Sequence, residues 1–283
     1  MATDSTRYYL PAPSYWPVTG SVALLLLALG AVLLINDAGG AWLLLAAGSA
    51  VLIYMLFGWF GTVIGESEGG RYNKQVDSSF RWAMGWFIFS EVMFFAAFFG
   101  ALFYMRVLSV PWLGSSDTLE QLWPSFKATW PVSGPGIEET FTPMGAWGIP
   151  AINTLILLSS GVTVTWAHWG LKKSNRGQLN LGLFLTIALG VLFLSLQVYE
   201  YVHAYHDLNL TLASGAYGAS FFMLTGFHGF HVTLGTIMLL VIFFRSLRGH
   251  FTPEHHFGFE GVSWYWHFVD VVWLLLFVMV YWL

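Results

Sequence analysis

The 283-residue sequence contains no cysteine, and charged side chains are scarce. The absence of cysteine excludes disulfide bonds, thiolate metal sites and cysteine nucleophiles from this chain. Charged residues make up 9% of the sequence, whereas a typical soluble domain contains about 25%. The 11 Lys and Arg residues and the net charge of −4 also argue against a nucleic-acid partner. This composition excludes an ordinary soluble domain.

Apolar residues take the place of the missing charge. Hydrophobic residues account for 57% of the chain and aromatic residues for 18%. Seven apolar runs are long enough to cross the roughly 30 Å of hydrocarbon in a bilayer. They lie near residues 17–36, 41–64, 80–106, 149–171, 179–205, 216–244 and 261–283. The sequence therefore predicts an all-α polytopic membrane protein with seven transmembrane helices.

The spacing of the apolar runs predicts three regions. Residues 1–66 are expected to hold an N-terminal segment and a two-helix arm, because only residues 36–40 separate the first two runs. Residues 67–79 form a polar linker, and residues 80–283 form a five-helix bundle. That bundle includes a long loop over 108–148, which is rich in tryptophan and proline. Because tryptophan favours the headgroup region, we expect this loop to be an ordered interfacial segment.

The basic residues predict the orientation of the spans. Cytoplasmic loops carry an excess of Lys and Arg, and here one side of the predicted bundle carries most of them. That side holds Arg7, Arg71, Lys74, Arg81, Lys172, Lys173, Arg176, Arg245 and Arg248, and the other side holds Arg106 and Lys127. We therefore expect a cytoplasmic N-terminus and a C-terminus on the outer side.

Two ionisable residues are predicted to meet near the middle of the membrane. At 1.5 Å per residue, Glu91 lies roughly 17 Å and His231 roughly 20 Å from the cytoplasmic ends of their spans. A hydrogen bond between them is therefore possible, and His228 precedes His231 by one helical turn on much the same face. Such a cluster could lock two helices together, take part in proton movement or subunit contact, or ligate a metal or haem. The shared face of the two histidines argues against haem ligation.

Two further pairs share a spacing of three residues. His267 and Asp270 could pair along the seventh span, where a carboxylate needs a partner because its insertion costs about 2.5–3.5 kcal/mol. Glu200 and His203 repeat this spacing near the outer end of the fifth span, where we expect water to solvate them. A structural role is the ordinary interpretation of both pairs.

Aromatic and basic residues gather at the predicted cytoplasmic interface. Arg245 and His250 lie at the end of the sixth span, and Trp59 and Glu66 lie on or just after the second span. An interfacial Arg is usually an anchor whose charged end reaches the headgroups. An Arg with a Trp beside a helical cleft could instead hold a phospholipid phosphate. We therefore predict that these four residues bind lipid.

Four long segments resemble subunit III of haem-A (haem-copper) cytochrome c oxidase of the bacterial type. They are SEVMFFAAFFGALFY, INTLILLSSGVTVTWAH, TGFHGFHVTLG and HHFGFEGVSWYWHFVDVVWLLLFVMVYW. The resemblance covers essentially the second to seventh spans. It implies a V-shaped bundle, with spans 1–2 in one arm, spans 3–7 in the other and structural phospholipids in the cleft.

The resemblance also implies a role for the chain. It implies a subunit with no catalytic centre, no metal and no cofactor of its own, because haem A and copper belong to partner subunits I and II. Cytochrome c would be met only through the complex. Glu91 and His231 match the family's midplane pair, and Trp59 and Arg245 match its lipid contacts. The implied role is to stabilise subunit I, sustain proton uptake and aid oxygen access in a multi-pass complex of the bacterial inner membrane.

Two other interpretations remain open at the level of sequence. A stand-alone secondary transporter could use Glu91, His231 and Asp270 as a proton relay, although such proteins are usually built from inverted repeats with broken helices. The seven spans do not divide into matching halves. An equivalent subunit of a quinol-fed oxidase would have the same role with a different electron donor.

Overall fold

A computed structural model describes residues 8–115, 121–124, 126–137 and 140–282 of the chain. Arg7, parts of the predicted 108–148 loop and the last residue of the predicted seventh span lie outside these residues. Within the described part, the regular secondary structure is helical throughout. Seven of the described helices are long and apolar enough to cross a membrane. The predicted class, an all-α polytopic membrane protein with seven spans, is confirmed.

The chain forms two compact units, and the first ends at Phe80. It holds helices α1 (Trp16–Ile35) and α2 (Ala41–Glu68), and helix α3 (Lys74–Phe103) begins in it. The α1–α2 hairpin packs closely through small residues, since a Cβ atom on Gly48 would lie 2.9 Å from Leu27. Glycine at such contacts lets the backbones of membrane helices approach one another.

The second unit begins at Arg81, within α3. After α3 come a π-helical turn (Tyr104–Ser109), α4 (Val110–Gly114), α5 (Ile149–Lys172), α6 (Arg176–Asp207), α7 (Gly215–Leu247), α8 (Phe257–Leu276) and a final π-helical segment (Phe277–Trp282). Helices α5 and α6 form a close hairpin, in which a Cβ atom on Gly182 would lie 2.8 Å from the Cβ of Ala167. In contrast, the backbone of α3 lies farther from the backbones of the neighbouring helices than α5 lies from α6.

Two tryptophans of α8 fix this helix against α5. Trp266 and Trp273 are fully buried. The indole Nε1 of Trp266 donates to Ser160 Oγ at 2.9 Å, and that of Trp273 donates to Thr154 Oγ1 at 2.9 Å. A buried indole N–H without an acceptor would be costly, so these two bonds set the register of α8 on α5.

The helices extend beyond several of the predicted spans. Helix α2 continues to Glu68, α3 begins at Lys74, and α6 ends at Asp207. An apolar run predicts the part of a helix that lies in hydrocarbon, whereas its polar end turns continue into the headgroup region. The predicted domain limits and the V-shaped arrangement of two arms stay predictions.

Candidate functional site

Glu91 of α3 and His231 of α7 form a hydrogen-bonded pair. His231 Nε2 lies 3.0 Å from Glu91 Oε2, and His231 Nδ1 donates to the Phe227 carbonyl oxygen at 2.6 Å. Because a carbonyl only accepts, Nδ1 carries a proton, and the bond to Glu91 requires a second proton. The pair is therefore either imidazolium with carboxylate or imidazole with carboxylic acid. In both forms its net charge is zero, which suits a site in hydrocarbon.

Aromatic rings enclose this pair. The His231 ring lies 5.0 Å from that of Phe95 on α3, and it stacks on Tyr265 of α8 at 6.3 Å. The side chains of His231 and Glu91 are 9% and 22% exposed. Exclusion of water strengthens a hydrogen bond and makes its loss more costly. The pair thus joins α3 to α7 beside α8.

A second polar contact ties α3 to α8. The Arg81 guanidinium reaches Glu260 Oε2 with Nη2 at 2.8 Å and with Nε at 2.9 Å. Glu260 lies in the first turn of α8, where a negative charge also complements the helix dipole. No spacing in the sequence connects residues that lie 179 positions apart, so this contact was not predicted.

His228 is buried but does not join the Glu91–His231 pair. Its Nε2 donates to the Val269 carbonyl oxygen of α8 at 3.0 Å, and its ring lies 5.1 Å from that of Trp273. The two histidines share a helix face, yet they turn towards different partners. His228 therefore connects α7 to the backbone of α8.

The structure brings His267 and Asp270 together on α8. His267 Nδ1 lies 3.6 Å from Asp270 Oδ2, and His267 Nε2 lies 3.2 Å from the hydroxyl of Thr165 on α5. The Asp270 carboxylate packs directly over Gly161 of α5. The Asp270 side chain is 8% exposed, whereas that of His267 is 44% exposed. The imidazole thus lies at the surface of this chain, with the carboxylate beneath it.

The predicted exposure of Glu200 to solvent at the protein surface is wrong. Glu200 is fully buried, and its Oε1 accepts a hydrogen bond from the Tyr281 hydroxyl at 2.6 Å. His203 pairs instead with Asp207, with 2.6 Å between Nδ1 and Oδ2. The final π-helical segment covers this end of α6. The depth of Glu200 along its span could not predict that a distant segment buries it.

Glu66 lies within a network of the first unit. Tyr9 Oη donates to its Oε1 and Tyr72 Oη donates to its Oε2, each at 2.8 Å. Arg71 Nη1 in turn lies 3.4 Å from Tyr9 Oη, and this hydrogen bond raises the pKa of Arg71. Burial, and then the hydrogen bond to Glu66, raise the pKa of Tyr72 well above its usual value near 10. Tyr72 therefore remains a neutral donor to Glu66.

The other three residues of the predicted lipid set lie on α2, at the end of α7 and just after α7. Trp59 of α2 is 46% exposed and stacks on Phe60 with 6.4 Å between ring centroids. Arg245 lies in the last turn of α7, and its guanidinium lies 4.7 Å above the Phe251 ring. The His250 amide donates to the Arg245 carbonyl oxygen at 3.1 Å.

The described residues contain no group of three or more His, Asp or Glu side chains that could hold a metal ion. Two of the buried polar residues instead pair across helices, Glu91 with His231 and His228 with the Val269 carbonyl oxygen. Hydrogen-bonded pairs of this kind connect helices and can hold or share a proton.

Comparison with known proteins identifies the family. The sequence profile described as Cytochrome c oxidase subunit III matches residues 6–283. Cytochrome c oxidase subunit 3 of Hippopotamus amphibius is 40% identical over 283 residues, which cover 100% of this chain and 99% of that protein. The proteins of the same name from Eudorcas rufifrons and Equus caballus show the same identity and coverage. The described part of the chain has seven helices able to span a membrane, and the chain belongs to the cytochrome c oxidase subunit III family.

Proposed function

We propose that this chain is a subunit without a redox centre in a proton-pumping terminal oxidase, where it stabilises subunit I. Membership of the family makes the chain part of a multi-subunit cytochrome c oxidase, which is an oxidoreductase. The observation that carries the proposal is the Glu91–His231 pair, which joins α3 to α7. Haem A and copper are assigned to subunits I and II, and cytochrome c delivers electrons to the complex.

The position of α3 supports a role in subunit contact. Its backbone stands away from the rest of the bundle, and side chains such as Glu91 and Arg81 reach across to α7 and α8. Aromatic contacts of Phe94 and Phe98 with Phe227 also pack α3 against α7, and the polar contacts fix the surface that the helix presents. We propose that this surface meets subunit I, so the Glu91–His231 pair acts through the position of α3. Support of proton uptake and oxygen access by subunit I follows from that contact.

Phospholipid binding is the second part of the proposal. Trp59 offers an exposed indole, and Arg245 offers a guanidinium held against Phe251. A guanidinium suits a phosphate because it donates two parallel hydrogen bonds. Glu66 and His250 complete the proposed lipid set. Glu66 already accepts hydrogen bonds from two tyrosines, so its proposed role is to position the lipid site.

Native mass spectrometry tests the lipid proposal. Trp59→Ala and Arg245→Gln are each expected to lower the number of phospholipids that stay with the chain. Trp42→Ala is the matched control, because Trp42 is also exposed but lies at the other end of α2. Equal lipid retention in all three variants and the wild type would remove the proposed lipid site.

The location of the complex follows from the charge distribution and the resemblance. We propose a bacterial inner membrane, with the N-terminus cytoplasmic and the C-terminus periplasmic. Protease protection of tags at the two ends, in spheroplasts and in inverted vesicles, tests this orientation. Cleavage of both tags from the same side would contradict seven spans.

Co-purification tests the assignment to a cytochrome c oxidase. A tag on this chain, a mild detergent and the native membrane are expected to yield two larger subunits with haem A absorption and a copper site in subunit II. A partner that lacks this copper site would favour a quinol-fed oxidase. Recovery of the chain with proton-flux activity but no haem-containing partner would favour the transporter interpretation.

A further inference from the structure

Three polar side chains of α5 and α6 are buried and contain atoms without a hydrogen-bond partner. Asn153 and Glu200 are fully buried, and Gln197 is 6% exposed. Within the described part of the chain, both amide atoms of Asn153 and Gln197, together with Oε2 of Glu200, have no hydrogen-bond partner. The Tyr281 hydroxyl lies beside two of these side chains. It donates a hydrogen bond to Glu200, whereas it forms no hydrogen bond with Gln197.

Buried polar atoms without partners are rare because each costs about 1–3 kcal/mol. Five such atoms, on Asn153, Gln197 and Glu200, therefore indicate a ligand that the protein atoms alone do not supply. The set contains the N–H donors of two amides as well as acceptor oxygens. A bare cation would satisfy only the oxygens. Water both donates and accepts, so it fits the complete set.

A cavity next to Glu200 provides the space. Its volume is about 160 Å³, and its lining includes Met144, Pro150, Glu200 and His203. Since one water molecule occupies about 30 Å³ in the liquid, several would fit. Asn153 follows Pro150 by three residues, which places it one turn deeper on α5.

A row of ionisable side chains on α6 extends from this cavity to the protein surface. Glu200, His203 and Asp207 follow one another at helical spacing on one side of α6. Their exposure rises in that order, from a fully buried Glu200 to side chains that are 39% exposed in His203 and 66% exposed in Asp207. The other titratable groups that act on Glu200 are the phenols of Tyr201, Tyr217 and Tyr281, from α6, α7 and the final segment.

We propose that this cavity binds a cluster of water molecules that hydrates Glu200 and Asn153 and exchanges with solvent beside His203. The site gives the Glu200 carboxyl group a route for proton exchange. A proton passes between Glu200 Oε2 and a cavity water, and that water passes a proton to the solvent at His203. The inference goes beyond the proposed function, because it requires neither subunit I nor a bound lipid.

Two equally buried methionines allow a matched test. Met144 lines the cavity and is 7% exposed, whereas Met55 is 8% exposed and packs against Gly20 in the α1–α2 hairpin. X-ray radiolysis generates hydroxyl radicals from water in place, so it oxidises a buried methionine that touches water. After rapid mixing of the full chain, in its complex, with H₂¹⁸O, we expect ¹⁸O-sulfoxide at Met144 and little at Met55. Equal labelling, or ¹⁶O alone at Met144, would overturn exchange with solvent.

Variants of Glu200 connect the labelling to the proposed site. Glu200→Leu is expected to lower the labelling of Met144 several-fold, because it removes the carboxyl group and fills space with carbon. Glu200→Gln keeps the shape and the hydrogen-bonding capacity, and it is expected to retain most of the labelling. If Glu200→Leu does not fold, the comparison of ¹⁸O labelling at Met144 and Met55 in the wild type still tests the proposed site. Unchanged labelling in a folded leucine variant would refute the site.

Infrared spectroscopy tests the proton route. The difference between wild type and Glu200→Gln isolates the carboxyl bands of Glu200 in either protonation form. Transfer from H₂O to D₂O is expected to shift the C=O band of the protonated form, whose proton exchanges, as fast as the cavity water exchanges. The bands of the ionised form are expected to shift at the same rate but more weakly, through their hydrogen bonds to exchanged water. A shift that appears only after denaturation would show that Glu200 is sealed from solvent. Haem absorption and co-purification report on the proposed oxidase function independently of this outcome.

Discussion

Replacing Glu91 with alanine tests whether the pair with His231 holds α3 in place. The substitution removes the hydrogen bond of 3.0 Å and leaves His231 Nε2, in a side chain that is 9% exposed, without its partner. Breaking a fully buried ion pair in a soluble protein costs about 3–5 kcal/mol. Hydrogen bonds between membrane helices average about 0.6 kcal/mol and reach about 1.7 kcal/mol.

The smaller free energies of hydrogen bonds between membrane helices apply to the Glu91–His231 pair for two reasons. The Glu91 side chain is 22% exposed, and the alternative state of α3 stays within the bilayer, where His231 finds other partners. We therefore expect Glu91→Ala to cost about 1–2 kcal/mol, since an unpaired buried group adds to the lost bond. That is a roughly 5- to 30-fold shift in an equilibrium constant.

The assay is the retention of subunit I by this chain during dilution in mild detergent. We expect Glu91→Ala to release subunit I at a roughly 5- to 30-fold higher concentration, with an unchanged haem spectrum. Glu91→Gln should stay within about 0.5 kcal/mol of wild type, because its amide can donate to a neutral His231. Ser90→Ala is the neighbouring control, since Ser90 is exposed and bonds only to its own helix.

Two results would refute this reasoning. Retention by Glu91→Ala equal to that by Ser90→Ala would show that the pair does not position the contact surface. A glutamine variant as defective as the alanine variant would show that the charge, rather than the hydrogen bond, is needed. Loss of haem from either variant would contradict a role confined to subunit contact.

Three further predictions follow from the packing and the pKa shifts. Trp273→Phe should lower the thermal stability of the chain by about 1–2 kcal/mol, because it leaves a buried threonine hydroxyl of α5 without its indole donor. Gly48→Leu should separate the α1–α2 hairpin and raise its protease sensitivity, whereas Gly61→Leu should not, because nothing lies within 4 Å of a Cβ atom there. The raised pKa of Tyr72 means that its hydrogen bond stabilises the first unit fully below about pH 10 and is lost as the pH rises beyond that value. Tyr72→Phe should therefore remove part of the alkaline loss of stability measured by circular dichroism.

Each of these predictions has a contrary outcome. An unchanged melting temperature for Trp273→Phe would mean that the indole bond does not set the register of α8. Equal protease sensitivity of the two glycine variants would show that the hairpin tolerates a side chain at its contact. The same alkaline transition in Tyr72→Phe and wild type would assign that transition to other groups.

The sequence was sufficient for the spans because the cost of burying charge in hydrocarbon leaves long apolar runs. Helical rise alone then placed Glu91 and His231 at similar depths, and the structure joins them at 3.0 Å. Depth estimated from helical rise predicts a hydrogen-bonded pair when both groups lie far from water, because few other polar partners are available to either group.

The same arithmetic could not predict contacts that depend on the path of a distant segment. Glu200 appeared accessible from its depth, yet Tyr281, 81 residues later, covers it and donates to it. The pairing of Arg81 with Glu260 likewise depends on how α3 and α8 begin relative to each other. Spacing along one helix therefore predicted local neighbours, whereas tertiary packing selected the partners.

The most direct test of the central claim is to find where the redox groups remain when this chain leaves the complex. The complex is purified through a tag on subunit I, this chain is removed with a harsher detergent, and iron, copper and haem A absorption are measured in both fractions. We predict that all three stay with subunits I and II, and that the released chain is colourless and free of both metals. Iron, copper or haem A migrating with this chain would contradict a subunit that acts only through its contacts.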